Sequence, residues 1–137
     1  MIDSSLDEQI KEIKQLIKVV WELREKCPWD RKQNFETLKT LTIEETFELC
    51  EEIEKLSYEG IKEELGDLLL HIIFYAKIGS EKNKFNIGQI AREIKTKLIR
   101  RHPHVYEDKK IKNSEEVKSN WENIKLKEGR SSILDGV

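Results

Sequence analysis

Residues 65–76 read LGDLLLHIIFYA and give the strongest indication of the fold. On a helical wheel at 100° per residue, its leucines and isoleucines fall on nearly every side. A helix that is apolar all round is a buried one, so the stretch predicts a core helix, which we extend over residues 61–78. Gly66 in the helix interior costs about 1 kcal/mol relative to alanine, which favours a close backbone approach at that position.

The flanking sequence predicts further helices and no strand. The expected helices cover residues 6–26, 35–56, 61–78, 86–101 and 114–127. Thr42 and Glu45 fit a capping box, so the second helix has an alternative start at Thr42, with residues 35–41 as a separate turn. Residues 28–34 are expected to form a short polar loop after the proline that ends the first helix. The predicted fold class is all-α, a bundle of about five helices.

The overall composition limits the class of protein. A length of 137 residues fits one domain. The 25 basic and 27 acidic residues leave a net charge of -2, which argues against a protein that coats nucleic acid. The acidic start lacks an apolar signal region, and the longest apolar run is too short to span a bilayer. We therefore expect no nucleic-acid partner, no membrane span and a cytoplasmic location.

The predicted core takes in one stripe of the second helix and one residue of the first. The stripe consists of Ile43, Phe47, Cys50 and Ile53, which we interpret as the core face. Trp21 on the first helix is also expected in the core. Cys27 and Cys50 lack CxxC spacing and are too few for a disulfide framework, so we expect both to be reduced.

Two pairs of carboxylates stand three residues apart on the second and third helices. Glu45 and Glu48 share one stripe, and Glu64 and Asp67 share another. If the two helices pack antiparallel, the four groups converge and repel unless a divalent cation lies among them. Ligation by oxygen alone favours Mg²⁺, Mn²⁺ or Ca²⁺ over zinc. A di-iron site is disfavoured, because it needs Glu-x-x-His pairs that this chain lacks.

Each carboxylate pair also has a structural interpretation. In a chain with 38% charged residues, pairs such as Glu45 with Glu48 arise often on solvated faces. For Glu64 and Asp67, whose surroundings are apolar, the main competitor to a metal is an internal salt bridge to lysine or arginine.

Basic and aromatic residues supply candidate substrate contacts. Lys97 and Arg101 lie four apart near the end of the fourth helix, where they fit a phosphate clamp. Favourable capping of the helix C-terminus is the alternative interpretation. Trp29 and Trp121 are candidates for stacking on a base, with burial in the core as the alternative.

Five segments of the chain resemble MazG-type nucleoside triphosphate pyrophosphohydrolases. The two central ones are IEETFELCEEIE at residues 43–54 and EELGDLLLHIIFYA at residues 63–76, which match an EExxE motif and an ExxD motif. CPWDRKQNFETL precedes them, and KLIRRHPHVY and then NWENIKLKE follow in the family's order. The resemblance covers most of the chain from Trp21 onward.

The resemblance implies a set of acidic site residues. The EExxE motif corresponds to Glu44, Glu45 and Glu48, and the ExxD motif to Glu64 and Asp67. The implied Mg²⁺ ligands are Glu45, Glu48, Glu64 and Asp67, with Mn²⁺ as a substitute ion. Glu44 or Glu45 would then orient or deprotonate the attacking water.

The resemblance also implies substrate contacts and an assembly. Lys97 and Arg101 match positions that contact the triphosphate, and Trp121 matches a position near the nucleotide. The implied reaction converts a nucleoside triphosphate to the monophosphate and pyrophosphate, with broad base specificity and a role in nucleotide-pool housekeeping. The family fold is an all-α bundle that forms a homodimer.

Two questions stay open at this point. Residues 1–137 are expected to form a single MazG-like domain, either as a single-domain protein or as one domain of a longer tandem protein. Two alternative functions stand beside the broad hydrolase. One is a catalytically silent helical module for dimerisation or regulation, and the other is a narrow pyrophosphatase specific for dUTP or dCTP.

Overall fold

The fold is known from a computed structural model, which describes residues 5–107, 110 and 112–129. Over these residues the chain is all-α, as predicted, with seven helices and no strand. The helices are α1 (Leu6–Lys26), α2 (Pro28–Lys32), α3 (Phe35–Glu54), α4 (Tyr58–Glu81), α5 (Ile87–Arg101), α6 (Pro103–Tyr106) and α7 (Ser114–Lys127). Among these described helices, none is long and apolar enough to cross a membrane.

The described residues fall into two units that divide between Ile87 and Gly88. In the first unit, α3 and α4 form an antiparallel pair joined by a short turn, and α1 packs against α4. Leu56 in that turn has a positive φ of 54°, and the Ser57 side chain caps α4 by accepting a hydrogen bond from the backbone N–H of Gly60. The antiparallel pairing brings the first half of α4 beside the middle of α3.

A small apolar core holds the first unit together. Its fully buried members come from three helices and are Val20 of α1, Leu38 of α3, and Ile73, Phe74 and Ile78 of α4. The second half of α4 supplies most of this core, as the sequence predicted. Its first half does not, because Leu65 is 50% exposed and Asp67 is also exposed. The expectation that the whole stretch is buried was therefore wrong within the single chain.

The prediction for Gly66 was also wrong. Over residues 5–107, 110 and 112–129, a Cβ atom placed on Gly66 meets no atom within 4 Å outside its own helix backbone, so no close backbone approach among them explains this glycine. The tight positions are Gly79, where a Cβ would lie 2.5 Å from the Phe85 ring, and Gly60, which faces Glu52.

The interpretation of the apolar stripe on α3 was wrong in the same way. Ile43, Phe47 and Ile53 are 51%, 66% and 48% exposed, and Cys50 is exposed as well. The reason is that α4 packs against the opposite side of α3. That side carries Leu38, Leu41, Thr42, Glu45, Leu49 and Glu52. Trp21 on α1, also expected in the core, is 48% exposed, with the Lys77 ammonium 5.2 Å from its ring centroid.

Helix α3 begins at Phe35, the first of the two predicted starts, and the alternative start at Thr42 was wrong. Asn34 caps the helix by accepting from the backbone N–H of Thr37, and the Thr37 hydroxyl accepts from the Asn34 backbone N–H. This capping box lies eight residues before the predicted one at Thr42, so residues 35–41 belong to α3 rather than to a separate turn. Thr42 uses its hydroxyl to contact α4 instead.

The segment expected to be a polar loop contains the short helix α2. Pro28 stands at its first position, where proline has no N–H to lose and its fixed φ suits a helix. Arg24 of α1 stabilises the C-terminal end of α2. Its Nη1 donates to the backbone carbonyls of Asp30 at 2.6 Å, Arg31 at 3.0 Å and Gln33 at 2.9 Å. Carbonyls at a helix end lack partners within the helix, so these bonds explain why five residues suffice.

The second unit contains α6, α7 and nearly all of α5. The predicted helices at residues 86–101 and 114–127 are confirmed to within one residue, whereas α6 was not predicted. Glu128, at the end of α7, forms ion pairs with Arg100 and Arg101. The His102 ring meets the Trp121 ring edge-on at 5.1 Å between centroids.

Candidate metal and nucleotide site

Three of the predicted metal ligands converge between α3 and α4. One carboxylate oxygen from each of Glu45, Glu48 and Glu64 lies within 4.8 Å of the others, and we call these residues the carboxylate cluster. Glu45 and Glu64 are half-buried, whereas Glu48 is exposed. The spacing of three residues puts Glu45 and Glu48 on adjacent turns of α3, and the antiparallel pairing brings Glu64 opposite them.

The other two acids of the predicted site lie outside this cluster. Asp67 is exposed one turn after Glu64, and its charge is close enough to raise the pKa values of Glu45 and Glu64. It therefore borders the carboxylate cluster. Glu44 is exposed and is not one of the three converging acids.

Glu45 shows how strongly the acids interact. Hydrogen bonding to the Glu64 carboxyl and partial burial raise its pKa to about 8, and the negative charges of Asp67 and Glu48 act in the same direction. For Glu64, the hydrogen bond with Glu45 lowers the pKa, but burial and the charges of Glu48 and Asp67 outweigh it, so its pKa is also raised. The mutual repulsion of these carboxylates therefore favours a shared proton or a bound cation among them.

The chemistry of the donor set fits a divalent cation. Among the residues that the structure describes, the buried Oε2 atoms of Glu45 and Glu64 have no hydrogen-bond partner. Buried carboxylate oxygens without partners are costly, and a cation that binds them would remove both this cost and the mutual repulsion. Carboxylate oxygens are the preferred ligands of Mg²⁺ and Mn²⁺. The residues present therefore fit the expected cofactor.

A polar link between α3 and α4 lies one turn from the carboxylate cluster. The Thr42 hydroxyl is 2.8 Å from Nδ1 of His71 and 2.5 Å from the hydroxyl of Tyr75, and it also donates to the backbone carbonyl of Leu38 at 3.0 Å. Burial lowers the pKa of His71, although the charge of Asp67 opposes this. The sequence pattern indicated a helix cap for Thr42 and gave no sign of this contact, because the contact forms only when the two helices pack.

The predicted phosphate contacts lie in the second unit. Lys97 is half-buried on α5. Arg101 is 7% exposed, and its Nη2 donates to Oε1 of Glu128 at 3.1 Å. Hydrogen bonds from Arg100 and Arg101 lower the pKa of Glu128 to about 2, with their positive charges adding to the effect and partial burial opposing it. Arg101 is thus held by an internal carboxylate within its own unit.

The two candidate stacking residues have different surroundings. Trp29 on α2 is 55% exposed. Arg24, which donates to the carbonyls at the end of α2, forms an ion pair with Glu81 of α4 at 2.9 Å. Trp121 on α7 is half-buried against His102, and its buried Nε1 has no hydrogen-bond partner among the described residues. The indole of Trp29 is therefore accessible to a ligand. Arg24, which the sequence analysis did not single out, positions the helix that carries it.

Comparisons with known proteins match both the sequence and the fold. A relative from Escherichia coli (strain K12), named nucleoside triphosphate pyrophosphohydrolase, is 39% identical over 93% of this chain and 51% of its own length. A relative from Thermotoga maritima, named nucleoside triphosphate pyrophosphohydrolase/pyrophosphatase MazG, is 43% identical over 83% of this chain and 44% of its own. The chain thus spans about half the length of these curated relatives.

The fold has a counterpart among solved structures. The crystal structure of a mazG-related protein from Thermotoga maritima superposes with a TM-score of 0.71 and covers 82% of this chain and 98% of its own. At 24% identity, this match supports the fold alone.

The family model extends over the acidic motifs and the basic segment. Residues 33–106 match the family described as the MazG nucleotide pyrophosphohydrolase domain. The matched range includes the carboxylate cluster, Asp67, Lys97 and Arg101, and it leaves out Trp29 and Trp121. Because the match covers more than half of the 137 residues, this chain belongs to the MazG nucleotide pyrophosphohydrolase domain family.

Proposed function

We propose that this chain hydrolyses nucleoside triphosphates to the monophosphate and pyrophosphate, with a divalent cation as cofactor. The observation that carries the proposal is the convergence of Glu45, Glu48 and Glu64, two of them with buried oxygens that lack partners within the described part of the chain. The names of the relatives, which are longer proteins, support the same reaction.

The proposed cofactor is Mg²⁺, with Mn²⁺ as a substitute. Glu45, Glu48, Glu64 and Asp67 would hold it, with Asp67 turning toward the carboxylate cluster. When bound, Mg²⁺ neutralises phosphate charge that develops as the bond between the α- and β-phosphates breaks. The acids of α3 and α4 supply the negative charge that would bind the ion.

A carboxylate is also proposed to activate the attacking water. The candidates are Glu44 and Glu45, and we favour Glu45 because it belongs to the carboxylate cluster and Glu44 does not. A carboxylate oxygen of Glu45 would accept the proton that water loses when its oxygen attacks phosphorus. The leaving pyrophosphate takes the electron pair of the broken bond, and its charge needs cationic partners.

Residues outside the cluster are proposed to bind the substrate. Lys97 and Arg101 would hold the pyrophosphate, and binding by Arg101 would compete with its Glu128 ion pair. Trp121 and Trp29 would contact the base. A flat aromatic surface accepts any base, which agrees with the proposed broad specificity. The proposed role is nucleotide-pool housekeeping in the cytoplasm.

We also propose that the chain forms a homodimer through the exposed apolar stripe of α3. Ile43, Phe47 and Ile53 lie on one side of that helix, and each is about half exposed or more. An apolar stripe of this kind favours burial against another surface. Sedimentation of wild type and Phe47→Ser tests this proposal, since we expect a dimer for the first and a monomer for the second.

Pyrophosphate release tests the proposed reaction directly. We would measure it on a panel of nucleoside and deoxynucleoside triphosphates with Mg²⁺ and with EDTA, for wild type, Glu64→Gln and Glu51→Gln. Glu51 is the matched control, an exposed glutamate of α3 outside the cluster. We expect Mg²⁺-dependent release across several bases, lost in Glu64→Gln and kept in Glu51→Gln.

The same panel separates the alternatives. Release from dUTP or dCTP alone would favour the narrow pyrophosphatase. Silence on every nucleotide, from a folded dimer, would favour the regulatory module and contradict the proposed hydrolase.

A further inference from the structure

We propose that Thr42 is a positioning residue that sets the geometry of the carboxylate cluster, an inference that rests on the proposed function. Its hydroxyl links α3 to His71 and Tyr75 of α4. The cluster takes two of its acids from α3 and one from α4. Any shift of one helix along the other would therefore change the distance between the acids that must bind one ion.

The location of Thr42 suits this role. It lies on the side of α3 that faces α4, three residues before Glu45. Three residues correspond to about 4.5 Å along the helix axis. On the other helix, His71 follows Glu64 by seven residues and lies on the same stripe. Apart from the acids themselves, the described side chains of α3 and α4 show no other hydrogen bond between the two helices.

The hydrogen bonds of Thr42 form a consistent set. A hydroxyl has one proton and two lone pairs, so it can donate once and accept twice. The Thr42 hydroxyl donates to the Leu38 carbonyl, which leaves its two lone pairs to accept from the Tyr75 hydroxyl and, in the tautomer with a proton on Nδ1, from His71. All three contacts are then satisfied, which makes the link directional and resistant to sliding.

Aromatic packing holds the partners of Thr42 in place. The Tyr75 ring stacks on Phe35 at 6.0 Å and meets the His71 ring edge-on at 6.5 Å. Phe35 belongs to α3, so the stack ties the two helices together on the side away from the cluster. Thr42 therefore lies between the fixed aromatic rings and the carboxylate cluster. Loss of its hydroxyl would leave the two helices fixed at the aromatic rings and less well fixed at the carboxylate cluster.

The test compares three threonine variants by their affinity for Mn²⁺. Thr42→Val removes the hydroxyl at nearly constant size, and Thr42→Ser keeps it. Thr46→Val is the matched control, because the Thr46 hydroxyl donates to the Thr42 carbonyl at 2.8 Å within α3 and is exposed. Titration calorimetry on the intact chain without nucleotide gives the affinity, and circular dichroism checks the helix content.

We expect Thr42→Val to weaken Mn²⁺ binding about 10-fold, the lower end of the usual effect for a group that orients metal ligands. Thr42→Ser and Thr46→Val should bind as wild type does. Turnover should show a lower kcat with an unchanged KM, since a loosened cluster affects the reacting phosphate more than nucleotide binding. A purely structural role would lower the melting temperature and leave the Mn²⁺ affinity unchanged.

Each outcome decides the proposal. If Thr42→Val does not fold, Tyr75→Phe replaces it, because that variant removes one contact to Thr42 and keeps the stacked ring; weaker Mn²⁺ binding supports the proposal and unchanged binding overturns it. Wild-type affinity in folded Thr42→Val overturns the positioning role alone. Failure of wild type itself to bind Mn²⁺ overturns the proposed function and the positioning role with it.

Discussion

Glu45 and Glu128 are both half-buried carboxyl groups, but their surroundings move their pKa values in opposite directions. Other acids surround Glu45 and raise its pKa to about 8. Two arginines bind Glu128 and lower its pKa to about 2. Burial raises the pKa of both groups, so the sign of the neighbouring charges accounts for the opposite directions of the two pKa shifts. Glu128 is satisfied within the protein, whereas Glu45 is satisfied only when a cation or a proton is added.

The largest expected effect comes from removing an acid beside the cluster. Asp67→Asn keeps the size of the side chain and removes one negative charge from the proposed cation site. We expect pyrophosphate release to fall at least ~100-fold, because a lost metal ligand costs several kcal/mol in the transition state. Steady-state kinetics with Mg²⁺ measures this, and retained release by a folded variant would contradict the role of Asp67.

The next effect concerns the stability of the metal-free protein above neutral pH. The folded-state pKa of Glu45, about 8, exceeds its ordinary value of 4.5, so the folded state binds more protons than the unfolded one. Stability contributed by this group is present below pH 4.5 and is lost as the pH rises through 8. We expect the melting temperature to fall by ~3 °C over that range in EDTA.

A variant and a cation should each remove this pH dependence. Glu45→Gln cannot ionise, so its melting temperature should change less between pH 5 and pH 8 than that of wild type. Mg²⁺ should raise the melting temperature of wild type at pH 8 because it binds only the folded state. Equal pH profiles for wild type and Glu45→Gln would show that the cluster is not strained by its own charges.

Glu128 should show the opposite pH dependence. Its pKa of about 2 lies below the ordinary 4.5, so its contribution to stability is present above pH 4.5 and is lost as the pH falls toward 2. Glu128→Gln should lower the melting temperature at pH 7 by ~2 °C and remove this acid-side loss. Below pH 4.5, melting temperatures measured with and without Mg²⁺ should be equal. A Mg²⁺-dependent difference there would contradict the conclusion that Glu128 is satisfied within the protein.

Much of the fold follows from local sequence. The proline after the first helix predicted where α1 ends, and the predicted limits of α1 and α7 are both confirmed. Periodicity also identified the acids that converge, because residues three apart share a helix face wherever the helix packs. These features need no knowledge of which helices meet.

The errors arose where tertiary packing decides. α3 carries two stripes that could face the core, one apolar and one that mixes leucines with Thr42 and Glu45. Hydrophobicity alone favours the apolar stripe, yet α4 packs on the mixed one. The link from Thr42 to α4 follows from that choice. The role of Arg24 could not be predicted either, because it depends on carbonyls of a helix that the sequence suggested was a loop.

The central claim is that the carboxylate cluster binds a divalent cation, and direct titration with Mn²⁺ tests it. We predict saturable binding to the wild-type chain without nucleotide, loss of that binding in Glu64→Gln, and unchanged binding in the matched control Glu51→Gln. Absence of saturable binding to wild type, or equal binding by Glu64→Gln, would contradict the claim.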